Sequence, residues 1–376
     1  MRLAGLRHLA TLANSSVPAA EVMPARIRGR VPEAIWRRTS ARLHKKPLHP
    51  LCTLRTEIAS YFENRHPGVF NMHSDLSPIV TTKQCFDDLL VPVDHPSRAP
   101  TDTYYVDDDV VLRTHMTAHD VAFMQQGKTA LLLCGDVYRR DTVDRTHYPV
   151  FHQVDSMRLY PPATERALIQ RDLQADLTGL AYHLFGSDAK LRWVDGYFPF
   201  TSPSFELEVF WEGEWLELLG CGLLHREVLF KANVASDVNG WAFGLGLERL
   251  AMVLFQIPDI RLFWSEDERF ASQFSSGTLS DRFKPFSSFP SVEKDISFWV
   301  NGNFHENDLC EIARSLGGDL VENVSLLDRF QRDGNISLCY RMVFRSMERS
   351  LTHDEINNIY YDIRESVATS LPVTLR

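Results

Sequence analysis

The sequence predicts an α+β protein of two folded parts, and three observations point to it. Between Val69 and about Phe255, strand-like runs alternate with polar loops and a few helices, most clearly at 130–139, 151–160 and 204–211. Short connections suit an antiparallel sheet flanked by helices, because parallel strands need crossovers of a dozen residues or more. From Ile296 onward the pattern reads strand, helix, strand, strand, helix, strand, which is the ferredoxin-like order. Between the two lies 272–291, rich in Ser, Gly and Pro, a linker composition. The expected division is a leader over 1–48, a sheet domain over 49–271, the linker over 272–291 and the small domain over 292–376.

Residues 1–48 hold ten Lys or Arg and two acids, Glu21 and Glu33, a local charge of +8 that leaves −17 for the rest of a chain with net charge −9. An Arg-rich, acid-poor segment with no sustained apolar stretch after Arg7 reads as an organellar targeting leader, with a basic RNA-touching arm as the alternative. The acidic body excludes only a large non-specific electrostatic footprint on nucleic acid.

The first ordered element is expected near Pro50, where Leu51, Leu54, Ile58 and Phe62 recur at helical spacing until HPG at 66–68 stops them. Leu168, Leu173, Leu177, Leu180 and Leu184 put another helix over 162–185. In the small domain Ile296, Phe298 and Val300 alternate as a strand, and Leu309, Ile312, Ala313 and Leu316 form a helix ended by Gly317. Residues 319–330 are strand-like, and Ile336, Leu338, Tyr340, Met342 and Phe344 alternate again. Thr352 with Glu355 makes a capping box before a helix through Ile356, Ile359, Ile363 and Val367, and PVTLR ends the order as an edge strand. No run of about 18 apolar residues occurs, so neither a membrane-spanning helix nor a membrane partner is expected. Six scattered cysteines without a CxxC pair argue against zinc and for free thiols in a reducing compartment.

Three segments carry chemistry. In GDVYRRDTVDRTHYPVFHQVD (135–155) a hairpin would send alternate side chains to one face, with Arg139 placed for a phosphate and Phe151 for a flat base; a solvated hairpin is the plainer reading. In GWAFGLGLERLAMVLF (240–255) Gly244 and Gly246 let backbone approach a ligand. Arg249, among Leu250, Met252 and Val253, must then meet an anion or stack on a ring. In YFPFTSPSFELEVFWEGEWLELLGCG (197–222) Phe198 and Phe200 share a face and line an aromatic pocket or pack a core. Glu217, between two leucines, is the better metal or ribose candidate among four carboxylates.

Together these segments resemble the organellar phenylalanyl-tRNA synthetases, members of class II, over roughly 49–370. GDVYRRD with THYPVFHQ is similar to that family's motif 2, AFGLGLERLAM to its motif 3, and YFPFT with PSFE to its phenylalanine pocket. LSPIVTT, DHPSR and RWVDGYFPF match as well, and DISFW, GGDLVE and YR…ER…L resemble its anticodon-binding domain. The resemblance implies a class II catalytic sheet with a ferredoxin-like anticodon domain. It implies ATP with Mg²⁺ but no zinc, L-phenylalanine and tRNA(Phe) as partners, one monomeric chain, and a mitochondrial address with the plastid as alternative.

By that resemblance Arg139 holds the α-phosphate, and Phe151 and Arg249 sandwich adenine. Thr146, His147 and Tyr148 approach the polyphosphate, Glu217 serves the nucleotide and Mg²⁺, and Phe243, Gly244 and Gly246 floor the site. Gln153 and Asp155 read the ammonium with the loop His115, Thr117, Ala118, His119 and Asp120, while Phe198 and Phe200 face the substrate ring. Arg341, Arg345 and Arg349, on the outward phase of the 336–344 strand and beyond it, are the expected tRNA contacts. This chain departs from the pattern at Asp155, where Glu is usual, at Thr117, where Ser is usual, and in a shorter stretch after Tyr160. A ligase for another amino acid and a silent RNA-binding relative are the competing readings.

Overall fold

The computed structural model describes residues 30–285, 289–332 and 334–376. Order begins well before residue 49, which corrects the expected leader boundary. Helix α1 (Glu33–Arg38) buries Ile35 and Trp36, and Leu43 and His44 are buried behind it. The positive charge that suggested a leader is used in folding: Arg38 pairs with Asp319 at 2.8 Å and lies 5.2 Å from the Trp264 ring. The targeting reading of residues 1–29 lies outside the described residues.

Helix α2 (Pro50–Arg65) starts on Pro50, whose missing N–H costs nothing at a helix N-terminus, with the His49 side chain accepting from the Leu51 N–H. Leu51, Leu54, Ile58 and Phe62 are all fully buried. After β1 (Met72–His73), the short strands β2 (Ile79–Thr81), β3 (Tyr105–Asp107) and β4 (Val110–Leu112) form a small sheet in the order β2-β4-β3. A tight turn at Met116–His119 then leads into α3 (Asp120–Gln125).

The main sheet adds β5 (Ala130–Tyr138), β6 (Val150–Leu159), β7 (Leu191–Gly196), β8 (Thr201–Trp211), β9 (Glu214–Leu224) and β10 (Gly240–Gly246), in the order β1-β5-β6-β10-β9-β8-β7. Only β1 against β5 is parallel. Helix α4 (Arg166–Phe185) starts four residues later than its leucine pattern suggested. Leu173, Leu177, Leu180 and Leu184 are buried as expected, and only at the first position does Ile169 take the place of Leu168, which is 41% exposed. Helices α2, α4 and α5 (Leu247–Phe255) share the main hydrophobic core on one face of the sheet.

The small domain comprises β11 (Val292–Val300), α6 (Glu306–Gly317), β12 (Val321–Arg332), β13 (Asn335–Phe344), α7 (His353–Ser370) and β14 (Val373–Leu375). Its sheet runs β12-β13-β11-β14 with β14 at an edge, and both helices pack on one face. The capping box is half formed: Thr352 accepts from the Glu355 N–H, but the Glu355 carboxylate is taken by Arg349. The linker is no loose tether, since Phe274 and Phe283 are buried in the core of the large domain.

The two domains are joined through the loop between β5 and β6. Val143 enters the small domain's core, and its carbonyl accepts from the Val324 N–H at 3.0 Å. Arg314 donates to the Asp141 carbonyl at 2.7 Å, Arg145 pairs with Glu322 at 2.7 Å, and Arg140 pairs with Asp308 at 3.2 Å. Against the alternative reading of a solvated hairpin, Arg140 and Arg145 are interdomain contacts.

Candidate active site

The face of the main sheet away from α2 and α4 holds a trough. Strand alternation points Phe151, Gln153 and Asp155 of β6 to this face, and their neighbours across β10 and β9 are small: Gly246 opposite Gln153, Gly244 opposite Asp155, Gly220 opposite Gly244 and Gly222 opposite Ala242. A Cβ on Gly244 would lie 3.0 Å from the Asp155 carboxylate, and one on Gly220 only 2.3 Å from the Phe198 ring. Glycine is required there because backbone and side chain already touch. The result is a cavity of about 760 Å³ bordered by both halves of the sheet, ample for a nucleotide and a small substrate.

At one end Arg139, just past β5, donates from Nε to the Thr114 carbonyl at 3.0 Å, and its guanidinium carbon lies 5.1 Å from the centre of the Phe151 ring. Arg249, in the first turn of α5, is exposed to the cavity and has no hydrogen bond or ion pair among the described residues. Hairpin and helix start thus bring Arg139, Phe151 and Arg249 to one cavity, as the sequence led us to expect. Thr146 and His147 border it too. The His147 imidazole is bonded to Asp144 at 2.6 Å, which raises its pKa, while Arg249 acts against it.

Two expected nucleotide contacts are placed differently. Tyr148 borders the cavity, but its hydroxyl donates to Asp319 of the small domain at 2.7 Å and its ring stacks on Trp264. The Phe243 ring lies on the opposite face of β10, stacked on Phe62 at 5.5 Å, so that only backbone at 243 floors the site.

At the other end Asp155 is 2% exposed. Its Oδ2 accepts from the Thr117 hydroxyl at 2.5 Å, and its Oδ1 has no partner. Burial raises this carboxyl to about 6, against the opposing pull of Thr117, Arg139 and Arg113. Gln153 accepts from the Met116 N–H at 3.3 Å. Phe198 and Phe200 stack at 6.0 Å, and His115, which burial and Arg139 lower to about 3, lies 6.2 Å from Phe200.

The rest of the expected loop turns away. Ala118, His119 and Asp120 do not border the cavity: Ala118 packs in a core cluster, and His119 meets Arg113 at 3.1 Å. Asp120 is 1% exposed with neither oxygen partnered, and burial together with the charge of Asp155 holds its pKa well above the usual range. The tight turn rotates successive side chains, whereas an extended loop would have kept alternate ones facing the ligand.

Glu217 is exposed at the cavity. Glu206 of the neighbouring strand lies within its field, and burial with the charges of Glu217 and Glu208 raises its pKa. Among the described residues no group of three or more His, Cys, Asp or Glu is arranged to hold a metal ion. A pair of carboxylates suits Mg²⁺, an ion held largely by substrate phosphates and water. Sequence reasoning missed Gly220 and Gly222, which the GCG at 220–222 signalled, and Asn307 of the small domain, which borders the cavity and donates to the Arg140 carbonyl at 3.2 Å.

The expected tRNA contacts are already engaged. Arg341 pairs with Asp295 and Glu293, Arg345 with Glu322 and the Phe289 carbonyl, and Arg349 with Glu355. They do not form a free cationic stripe.

Comparisons with known proteins match both domains. Residues 37–274 match the class II tRNA synthetase core domain (F), and residues 287–376 match the ferredoxin-fold anticodon binding domain. The chain is 50% identical over 355 residues to the chloroplastic/mitochondrial phenylalanine–tRNA ligase of Arabidopsis thaliana, covering 92% of this chain and 82% of that one. It is 43% identical over 371 residues to the mitochondrial enzyme of Mus musculus, covering 88% and 82%. With the mitochondrial enzyme of Saccharomyces cerevisiae it shares 36% identity over 431 residues, covering 92% of each.

Proposed function

The chain belongs to the class II phenylalanine–tRNA ligases, and from that premise we propose how its residues divide the work. The enzyme condenses L-phenylalanine with ATP to phenylalanyl-adenylate and passes the phenylalanyl group to tRNA(Phe) in organellar translation. Its place is the mitochondrial matrix, with the plastid open to it as a second address.

In the first step a phenylalanine carboxylate oxygen bonds to the α-phosphorus, the bond to the bridging oxygen breaks, and pyrophosphate leaves. The carboxylate is already ionised, so no general base is needed. The protein's contribution is positioning and charge stabilisation. Arg139 neutralises charge on the α-phosphate oxygens, while Phe151 and Arg249 hold the adenine between ring and guanidinium. Thr146 and His147 face the polyphosphate, with the bond from Asp144 raising the pKa of the imidazole and so favouring its charged form. Glu217 and Glu206 would hold Mg²⁺, which supplies further charge neutralisation to the phosphates when bound. At the other end Asp155, with Gln153, takes the ammonium, and Phe198 and Phe200 take the ring. In the second step a terminal ribose hydroxyl of the tRNA attacks the acyl carbon and AMP leaves. Both domains lie in one chain, which supports action as a monomer.

The single observation that carries these assignments is the convergence of Arg139, Phe151 and Arg249 on the cavity that also holds Asp155. ATP–pyrophosphate exchange with each of the twenty amino acids tests the reading. Phenylalanine should support exchange, tyrosine weakly, and the others not at all. A faster reaction with a non-aromatic amino acid would overturn the pocket assignment.

A further inference from the structure

One residue past the end of the β6–β10 ladder, a side chain takes over from the backbone. The last cross-strand pair is Gly246 with Gln153, after which β10 becomes α5. The next N–H of β6, that of His152, donates instead to Oε2 of Glu248 at 2.7 Å. The other oxygen, Oε1, bonds the His152 ring nitrogen Nδ1 at 2.6 Å. Both groups are buried, His152 at 0% and Glu248 at 3% exposure. The His152 ring is enclosed by His44 at 5.1 Å and Trp264 at 6.1 Å. Nothing in the reaction uses this pair, yet each member adjoins a residue that does. His152 points away from the cavity, so its strand neighbours Phe151 and Gln153 point into it. Glu248 borders the cavity too, but both its oxygens are spent on His152, and it is Arg249 of the same helix start that is exposed to the cavity.

We propose that Glu248 and His152 are positioning residues, a two-bond clamp between strand and helix that sets the gap between Phe151 and Arg249. The clamp fixes the width of the slot for a flat heteroaromatic base, and His44 ties the segment ahead of α2 to it. Two charge-assisted bonds hold the gap, where a ladder continuing with backbone alone would have left the helix start free to tilt. This inference rests on the reading that Phe151 and Arg249 hold the base.

The test is pyrophosphate exchange on the full chain with ATP and phenylalanine varied separately, alongside thermal unfolding. Glu248→Ala removes both bonds and should raise KM for ATP about 10-fold or more, with KM for phenylalanine changed less than about threefold. Glu248→Gln keeps the shape and one acceptor, and should give a smaller rise of the same selectivity; it decides the matter if the alanine variant does not fold. A merely structural role would move both KM values together or lower only the yield of folded protein. Folded Glu248→Gln with both KM values unchanged, or with both raised in parallel, overturns the clamp. Arg249→Ala separates the two ideas. If it leaves KM for ATP unchanged, the base-site reading fails and the clamp's purpose with it. If it raises KM for ATP while Glu248→Gln does not, the clamp alone fails.

Discussion

Replacing Asp155 by Asn should separate activity from stability, with opposite signs. The carboxyl belongs to a residue that borders the cavity but is buried at 2% exposure, with Oδ2 on the Thr117 hydroxyl and Oδ1 buried without a partner. Its pKa of about 6, against 3.8 for an ordinary aspartate, means that the folded protein resists ionising it. Ionised Asp155 therefore costs the folded state about 3 kcal/mol above pH 6, at 1.36 kcal/mol per pKa unit. The sign follows from linkage: an acid whose pKa is raised on folding destabilises as pH climbs from the unfolded value through the folded one. Asn carries no charge and keeps an acceptor for Thr117, so Asp155→Asn should raise thermal stability at pH 7.5 and leave it nearly unchanged near pH 4. The same substitution removes the counter-ion of the substrate ammonium. A charged hydrogen bond of about 3 kcal/mol corresponds to a loss of about 100-fold in kcat/KM for phenylalanine. KM for ATP should stay within about twofold. Scanning fluorimetry at the two pH values and pyrophosphate exchange read both effects. Retention of phenylalanine kcat/KM, or a variant less stable at pH 7.5 than the parent, refutes the reasoning.

Other outcomes follow from the same geometry. In the parent enzyme, kcat/KM for phenylalanine should fall below an apparent pKa of about 6 as Asp155 takes up its proton, an acid limb that a pH profile detects. Arg139→Ala should lower kcat for adenylate formation by about 10²- to 10³-fold, as removal of a preorganised charge does; an unchanged burst of adenylate would count against it. Gly220→Ala pushes a methyl into the Phe198 ring and should raise KM for phenylalanine while sparing KM for ATP, measured by the same exchange. Removing residues 1–48 deletes the buried Ile35, Trp36 and Leu43 and should yield insoluble protein or a transition lowered by several degrees.

What the sequence revealed, and what it hid, has physical reasons. The hairpin and the glycine-rich helix start were legible because strand alternation and glycine spacing are local; the resemblance joined them, and Arg139, Phe151 and Arg249 border one cavity. The strands and helices of the small domain were legible for the same reason, each buried face repeating in Ile296 and Phe298, in Leu309 and Ala313, and in Ile356 and Ile363. The segment from Arg30 to Leu48 was misread because its basic residues dominate the composition, whereas the few apolar side chains that anchor it, Ile35, Trp36 and Leu43, show no clear period. Arg345 was placed by phase on an outer face, but its partner Glu322 comes from another strand and a bulge shifts that register. Asp120 was assigned to the site with the whole 114–120 loop by resemblance, and a single turn of helix carries it out of the cavity lining. Asn307 reaches the cavity only because the small domain docks on the β5–β6 loop, a tertiary fact with no local signal.

The most direct test is a structure of the enzyme with a non-hydrolysable phenylalanyl-adenylate analogue. The adenine should lie between the Phe151 ring and the Arg249 guanidinium, the phosphate oxygens against Arg139, and the ammonium within hydrogen-bond distance of Asp155 Oδ1. Adenine found elsewhere, or an ammonium held without Asp155, would contradict the account.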